Sequence, residues 1–169
     1  KNTPSAGSVS VRKVTPDGTA LNDVSFLLQY SIDGGTAWSP VRARKETDPI
    51  SVGSCTSEGI SDGVLTTGED GKVTFSGLQV KNQNVTVLYR ITEVRIKNGF
   101  QLLGEPLFEG SLPQDVNGTP QQDITITAVN GQQFELPAAG GNGMQTATLG
   151  TIFTVIGLFG LLYVQKEKF

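Results

Sequence analysis

Residues 84–94, NVTVLYRITEV, decide the fold, because apolar and polar side chains alternate along them. Alternation with a period of two is typical of a β-strand that buries one face. Since every second side chain of a strand points the same way, we predict that Glu93 points into the core with its apolar neighbours. The predicted inward face consists of Val85, Val87, Tyr89, Ile91 and Glu93.

Further segments show the same alternation, and turn signals of the Asp-Gly or Asn-Gly type separate them. They are residues 8–14, 24–32, 72–78, 100–108 and 123–130. The sequence therefore predicts an all-β fold, a single antiparallel β-sandwich or barrel over residues 8–130. Residues 33–63 are polar and rich in Gly and Ser, so we interpret them as an insertion or extended loop in which Cys55 is exposed or half-buried.

The composition excludes several classes of function. The chain has 169 residues, a formal net charge of −3 and no histidine. Because it has no basic excess to neutralise phosphates, we do not expect a nucleic-acid partner. The lack of histidine excludes Ser-His-Asp and Cys-His catalysis and nearly every kind of zinc site. The single Cys55 cannot form an internal disulfide. We therefore expect no enzyme, no metal and no cofactor.

Near the C-terminus, residues 146–164 contain no charged side chain. Their length of about 19 residues corresponds to a helix of about 28 Å, enough to cross the hydrocarbon core of a bilayer. Because the segment is apolar on all sides, a transmembrane helix is favoured over a buried core helix. Lys166 and Lys168 predict that the tail, residues 165–169, is cytoplasmic and that the rest of the protein lies outside the membrane.

The chain begins at Lys1, and its only methionine is Met144. We therefore expect a processed product or a part of a longer protein, with residues 1–7 as a linker from an upstream region. Residues 131–145 contain the stretch ELPAAGGNG, and their composition predicts a second linker between the β-domain and the apolar segment.

Two more inward faces end in a polar group. In the first strand Lys13 shares a face with two valines, and in the last strand Asn130 shares a face with two isoleucines and an alanine. Together with Glu93, the inward faces thus end in an amine, a carboxamide and a carboxylic acid. A simpler interpretation is that each of these groups lies at a strand end and reaches water.

Burying an ammonium group and a carboxylate together costs desolvation free energy. The pKa values of the two groups can shift toward each other until both groups are neutral. A neutral amine is a nucleophile, and a protonated carboxyl group can hydrogen-bond to a carboxamide and polarise it. If the three groups meet, Lys13 can attack the side chain of Asn130 and expel ammonia, which leaves an amide cross-link. Glu93 would polarise the carboxamide.

Four stretches carry a resemblance to a known family. They are KVTPDGTALNDVSFLL (13–28), LTTGEDGKVTFSGL (65–78), YRITEVRIKNGFQLLGEPLFEGSLP (89–113) and ITITAVN (124–130). They resemble the B-type repeat domain of Gram-positive surface proteins, the prealbumin-like, Ig-like domain of SpaA-type pilins and collagen-adhesin (Cna B-type) stalks. In that family a first-strand lysine joins a last-strand asparagine, and the glutamate of a YxxxE motif catalyses the reaction. The resemblance implies an isopeptide bond between Lys13 and Asn130, with Glu93 as the catalyst.

One short stretch departs from the family pattern. Residues 22–24 read Asn-Asp-Val, where the family usually has a small Gly-Ala pair. The departure bears on packing around the second strand and touches none of the three polar residues.

A second resemblance lies near the C-terminus. The stretch FELPAAGG (134–141), followed by an apolar span and a short charged tail, is similar to a cell-wall sorting signal of the LPxTG type. The resemblance implies a sortase as partner and cleavage between Ala139 and Gly140, although Ala139 stands where threonine is usual. The motif residues are Leu136, Pro137, Ala138, Ala139 and Gly140.

These features predict a structural protein, the stalk or anchor domain of a Gram-positive pilin subunit or adhesin. The membrane would hold the precursor until a sortase joins it to peptidoglycan or to a neighbouring pilin subunit at the cell surface. Because the cross-link would form only once in each molecule, the prediction does not make the protein an enzyme.

Two alternative functions stay open. In a ligand-binding adhesin module, the insertion 33–63 would contact a host extracellular-matrix protein through a surface patch. That patch would consist of Trp38, Arg42, Arg44 and Lys45. An ordinary single-pass membrane ectodomain would instead keep residues 140–169, and in a eukaryote Asn84 and Asn117 would begin glycosylation sequons.

Overall fold

The structure is a computed structural model that describes residues 6–80 and 86–131. Within these residues it contains twelve β-strands and no helix. The strands are β1 (Ala6–Val14), β2 (Ser25–Ser31), β3 (Ser39–Pro40), β4 (Arg42–Ala43), β5 (Ser54–Cys55), β6 (Val64–Thr66), β7 (Lys72–Gln79), β8 (Leu88–Arg95), β9 (Phe108–Gly110), β10 (Gln114–Val116), β11 (Thr119–Gln121) and β12 (Asp123–Val129).

Two main sheets form the domain. The first has the strand order β12-β1-β7, and the second has the order β3-β2-β8-β9, with β6 also paired to β2. Two small ribbons, β10 with β11 and β4 with β5, complete the set. Inward side chains of both sheets belong to one buried cluster, in which Val9 and Phe75 of the first sheet join Phe26 and Tyr89 of the second. The all-β prediction is confirmed, and the arrangement fits a sandwich.

The expectation of an antiparallel sandwich is wrong for two pairs of strands, β12 with β1 and the short β4 with β5, both of which are parallel. β12 pairs with β1 in parallel, in a register that runs from Ser8 opposite Asp123 to Val14 opposite Val129. Turn signals fix the direction only of strands that follow each other in the chain. The first and last strands are far apart in sequence, so no turn signal constrains how they pair.

Most of the predicted strands coincide with observed ones. β1, β2, β7 and β12 match the segments 8–14, 24–32, 72–78 and 123–130 within two residues at each end. The segment 84–94 becomes β8, which begins at Leu88. Within β8 the inward face is as predicted, because Tyr89, Ile91 and Glu93 are all buried.

The segment 100–108 is not the strand that its pattern predicts. Only Phe108 belongs to β9, and residues 96–107 form a connection that we call the β8–β9 loop. Gly104 and Pro106 interrupt the segment, and the backbone N–H of Leu107 donates to Ile91 O at 2.8 Å. Apolar side chains of the β8–β9 loop pack against the core; they are Ile96, Phe100, Leu103 and Leu107.

The insertion 33–63 contains β3, β4 and β5 and lies closer to the core than a solvated loop would. Val41 and Cys55 are fully buried, so the expectation of an exposed or half-buried Cys55 is wrong. The thiol lies 3.1 Å from Ser57 Oγ, which in turn donates to the Thr74 carbonyl of β7 at 2.7 Å. Cys55 thus belongs to the buried core cluster, and Ser57 links its thiol to β7.

The predicted C-terminal elements lie outside the described residues. They are the linker and sorting motif in 131–145 beyond Gly131, the apolar span 146–164 and the tail 165–169. Residues 6–80 and 86–131 contain no helix that is long and apolar enough to cross a membrane.

Candidate functional site

The inward positions of three strands meet at one end of the core. Lys13 lies on β1, Glu93 lies on β8 of the opposite sheet, and Asn130 directly follows β12. In the parallel register Lys13 is opposite Ala128, and the backbone N–H of Asn130 donates to Val14 O at 3.1 Å. Because Asn130 is two residues beyond Ala128, its side chain extends from the same face of β12 as Ala128.

These three side chains form a closed group of contacts. Lys13 Nζ lies 3.1 Å from Glu93 Oε1 and also donates a short hydrogen bond to Asn130 Oδ1. Asn130 Nδ2 lies 3.3 Å from each carboxylate oxygen of Glu93. The exposed fraction is 0% for Lys13 and 1% for both Glu93 and Asn130. The structure thus brings together the amine, the carboxyl group and the carboxamide that the sequence analysis singled out.

Burial determines the electrostatics of the amine. Desolvation lowers the pKa of Lys13 below its ordinary value of 10.5, while the hydrogen bond and the negative charge of Glu93 act in the opposite direction. Because its pKa is lowered, the Lys13 amine loses its proton at a lower free-energy cost than an exposed lysine does. A neutral amine carries the free electron pair that a nucleophile needs.

Two backbone groups of the β8–β9 loop also touch the site, and sequence reasoning missed both. The carbonyl oxygen of Gln101 accepts a hydrogen bond from Asn130 Nδ2 at 2.5 Å, and the N–H of Leu103 donates to Glu93 Oε2 at 2.9 Å. A backbone group is present at every residue, so no residue type marks these two positions in the sequence.

A second lysine–asparagine contact offers a comparison within the same chain. Lys97 Nζ donates to Asn22 Oδ1 at 3.2 Å, but this pair is exposed. In the described part of the chain, the only ion pair joins Lys13 to Glu93, so Lys97 has no carboxylate partner there. The exposed pair has the same functional groups in contact without burial and without the acid.

The patch considered in the insertion is engaged in contacts within the domain. The guanidinium carbon of Arg90 lies 4.4 Å from the centroid of the Trp38 ring, and Arg44 Nε donates to Ser54 Oγ at 3.1 Å. Arg44 also donates to the carbonyl oxygens of Lys45, Asp48 and Gly77. Two members of the patch, Trp38 and Arg44, therefore support the fold of the insertion.

The structure bears on the expected absence of a metal site only over the residues that it describes. Over residues 6–80 and 86–131, no group of three or more Cys, Asp or Glu side chains is placed to hold an ion. The sorting motif, Leu136 to Gly140, lies outside these ranges, so the structure does not describe its geometry.

Comparison with known proteins identifies solved structures with a similar fold. No family model matches the chain, and no curated protein matches it in sequence. Among solved structures, the minor pilin of Streptococcus agalactiae is 20% identical with a TM-score of 0.51, over 84% of this chain and 50% of that one. The pilus 2b backbone protein of group B streptococcus is 21% identical with a TM-score of 0.52, over 78% of this chain and 43% of that one.

A third similar structure is the SpaE basal pilin of Lactobacillus rhamnosus GG, 14% identical with a TM-score of 0.52, over 76% of this chain and 50% of that pilin. This chain thus spans half or less of the length of each of these three pilins. At identities this low, the likeness concerns the fold and not the activity. The described domain therefore shares its fold with parts of Gram-positive pilins.

Proposed function

We propose that this chain is a structural stalk or anchor domain of a Gram-positive surface protein, either a pilin subunit or an adhesin. The observation that carries the proposal is the buried contact of Lys13 on β1, Glu93 on β8 and Asn130 at the end of β12. A buried ion pair is weak support for stability by itself, because the desolvation of both charges offsets their attraction. Its arrangement against a carboxamide, however, suits an amide-forming reaction.

In the proposed reaction Glu93 acts as the proton carrier. Glu93 first takes a proton from the Lys13 ammonium group, which leaves a neutral amine and a neutral acid. The amine then attacks Cγ of Asn130, and Glu93 delivers the proton to Nδ2 as the C–N bond breaks and ammonia leaves. One of the two protons on the attacking nitrogen then passes to Glu93, so the products are one isopeptide bond, one ammonia and a protonated Glu93. Glu93 contacts both nitrogens, as this transfer requires.

We further propose that the LPAAG sequence at 136–140 is the recognition site of a sortase. The apolar span 146–164 would hold the precursor in the membrane until the bond between Ala139 and Gly140 is exchanged. The domain would then be joined to peptidoglycan or to a neighbouring pilin subunit at the cell surface. The pilin-like fold and the three-part arrangement of motif, apolar span and charged tail support this part of the proposal.

The intact mass of the folded chain tests the cross-link. We expect the parent chain to be one ammonia lighter than its sequence and the Glu93→Ala variant to have the full mass, because the variant lacks the proton carrier. Lys97→Met is the matched control; it removes the exposed lysine of the other lysine–asparagine contact and should leave the loss of ammonia unchanged. A folded parent chain at full mass would contradict the cross-link.

The pH dependence of the rate tests the mechanism. The proposed reaction begins with the proton of the Lys13 ammonium group, so we expect the rate of ammonia loss to be constant around neutral pH. At alkaline pH Lys13 has already lost this proton, and the rate should fall in a range below 10.5, because burial lowers the pKa of Lys13. Mass spectrometry at fixed times across a pH series measures this limb. A rate that keeps rising up to pH 10.5 would contradict the role of this proton.

The alternative functions make different demands. For a ligand-binding module, deletion of residues 36–62 would abolish adhesion, but Trp38 and Arg44 already make contacts within the domain. For a single-pass ectodomain, residues 140–169 would remain in the mature surface protein, whereas a sortase would remove them. The engagement of the insertion therefore favours the stalk function over the ligand-binding one.

A further inference from the structure

The β8–β9 loop, residues 96–107, reaches the buried site through its backbone, at Gln101 and Leu103. We infer that this loop is a positioning element for the amide-forming reaction, and that it acts through the carbonyl of Gln101 and the N–H of Leu103. The inference rests on the proposed function, since it assigns a task within the cross-linking step.

The carbonyl of Gln101 determines how the Asn130 carboxamide is turned. A carboxamide can present either its oxygen or its nitrogen in a given direction, and the neighbouring acceptors decide which. Gln101 O and both oxygens of Glu93 lie on the Nδ2 side, at 2.5 Å and 3.3 Å, and all of them accept hydrogen bonds. The carboxamide oxygen therefore faces Lys13 Nζ, which leaves the nitrogen that must depart next to the acid that protonates it.

Because of the N–H of Leu103, the two oxygens of Glu93 make different contacts. It donates to Oε2 at 2.9 Å, while Oε1 lies 3.1 Å from Lys13 Nζ. One oxygen is thus held by the backbone, and the other faces the amine. Because the carboxyl group cannot turn without losing the Leu103 bond, Oε1 stays within reach of both the attacking and the leaving nitrogen.

The loop is held in place by contacts that do not involve the reacting groups. Phe100, Leu103 and Leu107 pack against the core, and Leu107 N–H donates to Ile91 O at 2.8 Å. Leu102, between the two positioning groups, is 45% exposed. The loop is thus fixed independently of the side chains that it orients.

The test compares two substitutions of one residue. Leu103→Ala and Leu103→Pro both remove the apolar side chain, but only Leu103→Pro removes the N–H that holds Glu93. The full chain is made by cell-free translation with a mild detergent, samples are quenched in denaturant at intervals, and intact mass gives the rate of ammonia loss. We expect Leu103→Pro to react about 10- to 100-fold more slowly than Leu103→Ala, because both variants lose the packing of the leucine side chain and only Leu103→Pro loses the N–H.

A third variant removes the dependence on how proline affects folding. Replacing Leu103 by its α-hydroxy acid converts the N–H into an ester oxygen and keeps the side chain. It should slow the reaction, relative to the parent, by about the factor that separates Leu103→Pro from Leu103→Ala. Fluorescence of Trp38, the only tryptophan, reports in every sample whether the domain has folded. An ester variant that folds and reacts at the parent rate would overturn the inference.

The two levels of proposal fail in different ways. If the parent itself never loses ammonia, the cross-link proposal is wrong and the positioning task falls with it. If the parent loses ammonia and the ester variant loses it equally fast, the cross-link stands and only the role of the loop is wrong.

Discussion

Pulling the folded domain by its two ends gives no unfolding step in the parent chain, whereas the Lys13→Met variant unfolds and lengthens by about 400 Å. This result is expected because the isopeptide bond would join residues that are 117 positions apart in the chain. Tension would then pass from β1 through the two side chains to Asn130, and the chain between them could not extend. Single-molecule force spectroscopy measures the lengthening directly.

The matched control for the pulling experiment is Lys97→Met, which removes an exposed lysine and leaves the buried site intact. It should resist extension as the parent does. A parent domain that lengthens as much as the Lys13→Met variant would contradict a covalent connection between the first and last strands.

Without the cross-link, the free energy of unfolding should fall on the order of 5 kcal/mol, from the chain-entropy model for closing a loop of this length. The variant to use is Lys13→Met combined with Glu93→Gln, because Lys13→Met alone would leave the Glu93 carboxylate buried without its partner. For a domain of this size, the expected drop in melting temperature is on the order of 15 °C. Thermal and denaturant unfolding of the two proteins measure the difference.

A single Lys97→Met substitution serves as the control here as well, and it should change the free energy of unfolding by no more than a surface substitution does, about 0.5 kcal/mol. Equal unfolding midpoints for the parent and the double variant would show that the buried site adds no covalent constraint.

Strand parity explains why part of the candidate site could be predicted from the sequence. A strand with one buried face has only two possible orientations for each side chain, so the apolar neighbours of Lys13, Glu93 and Asn130 determine where these point. Parity does not say that the three meet. Their proximity depends on the parallel pairing of β1 with β12, which no turn signal encodes. The family resemblance implied only that Lys13 and Asn130 are joined.

The parts that the sequence did not reveal have physical reasons of their own. The segment 100–108 alternates like a strand, but its backbone bonds go in part to the side chains of Glu93 and Asn130. Cys55 belongs to the buried core cluster, and its strand β5 contacts β7, from which residues 56–71 separate it in sequence. In both cases tertiary contacts outweigh the local pattern.

The place of the insertion in the chain has a consequence for how such a domain can vary. Residues 33–63 lie between Lys13 and Asn130 in sequence, as do most of the strands. In the cross-linked domain, load would follow only the short segment before Lys13 and the one after Asn130. The chain between them would carry no load. The insertion could therefore lengthen, shorten or acquire a new surface while the domain kept its tensile strength.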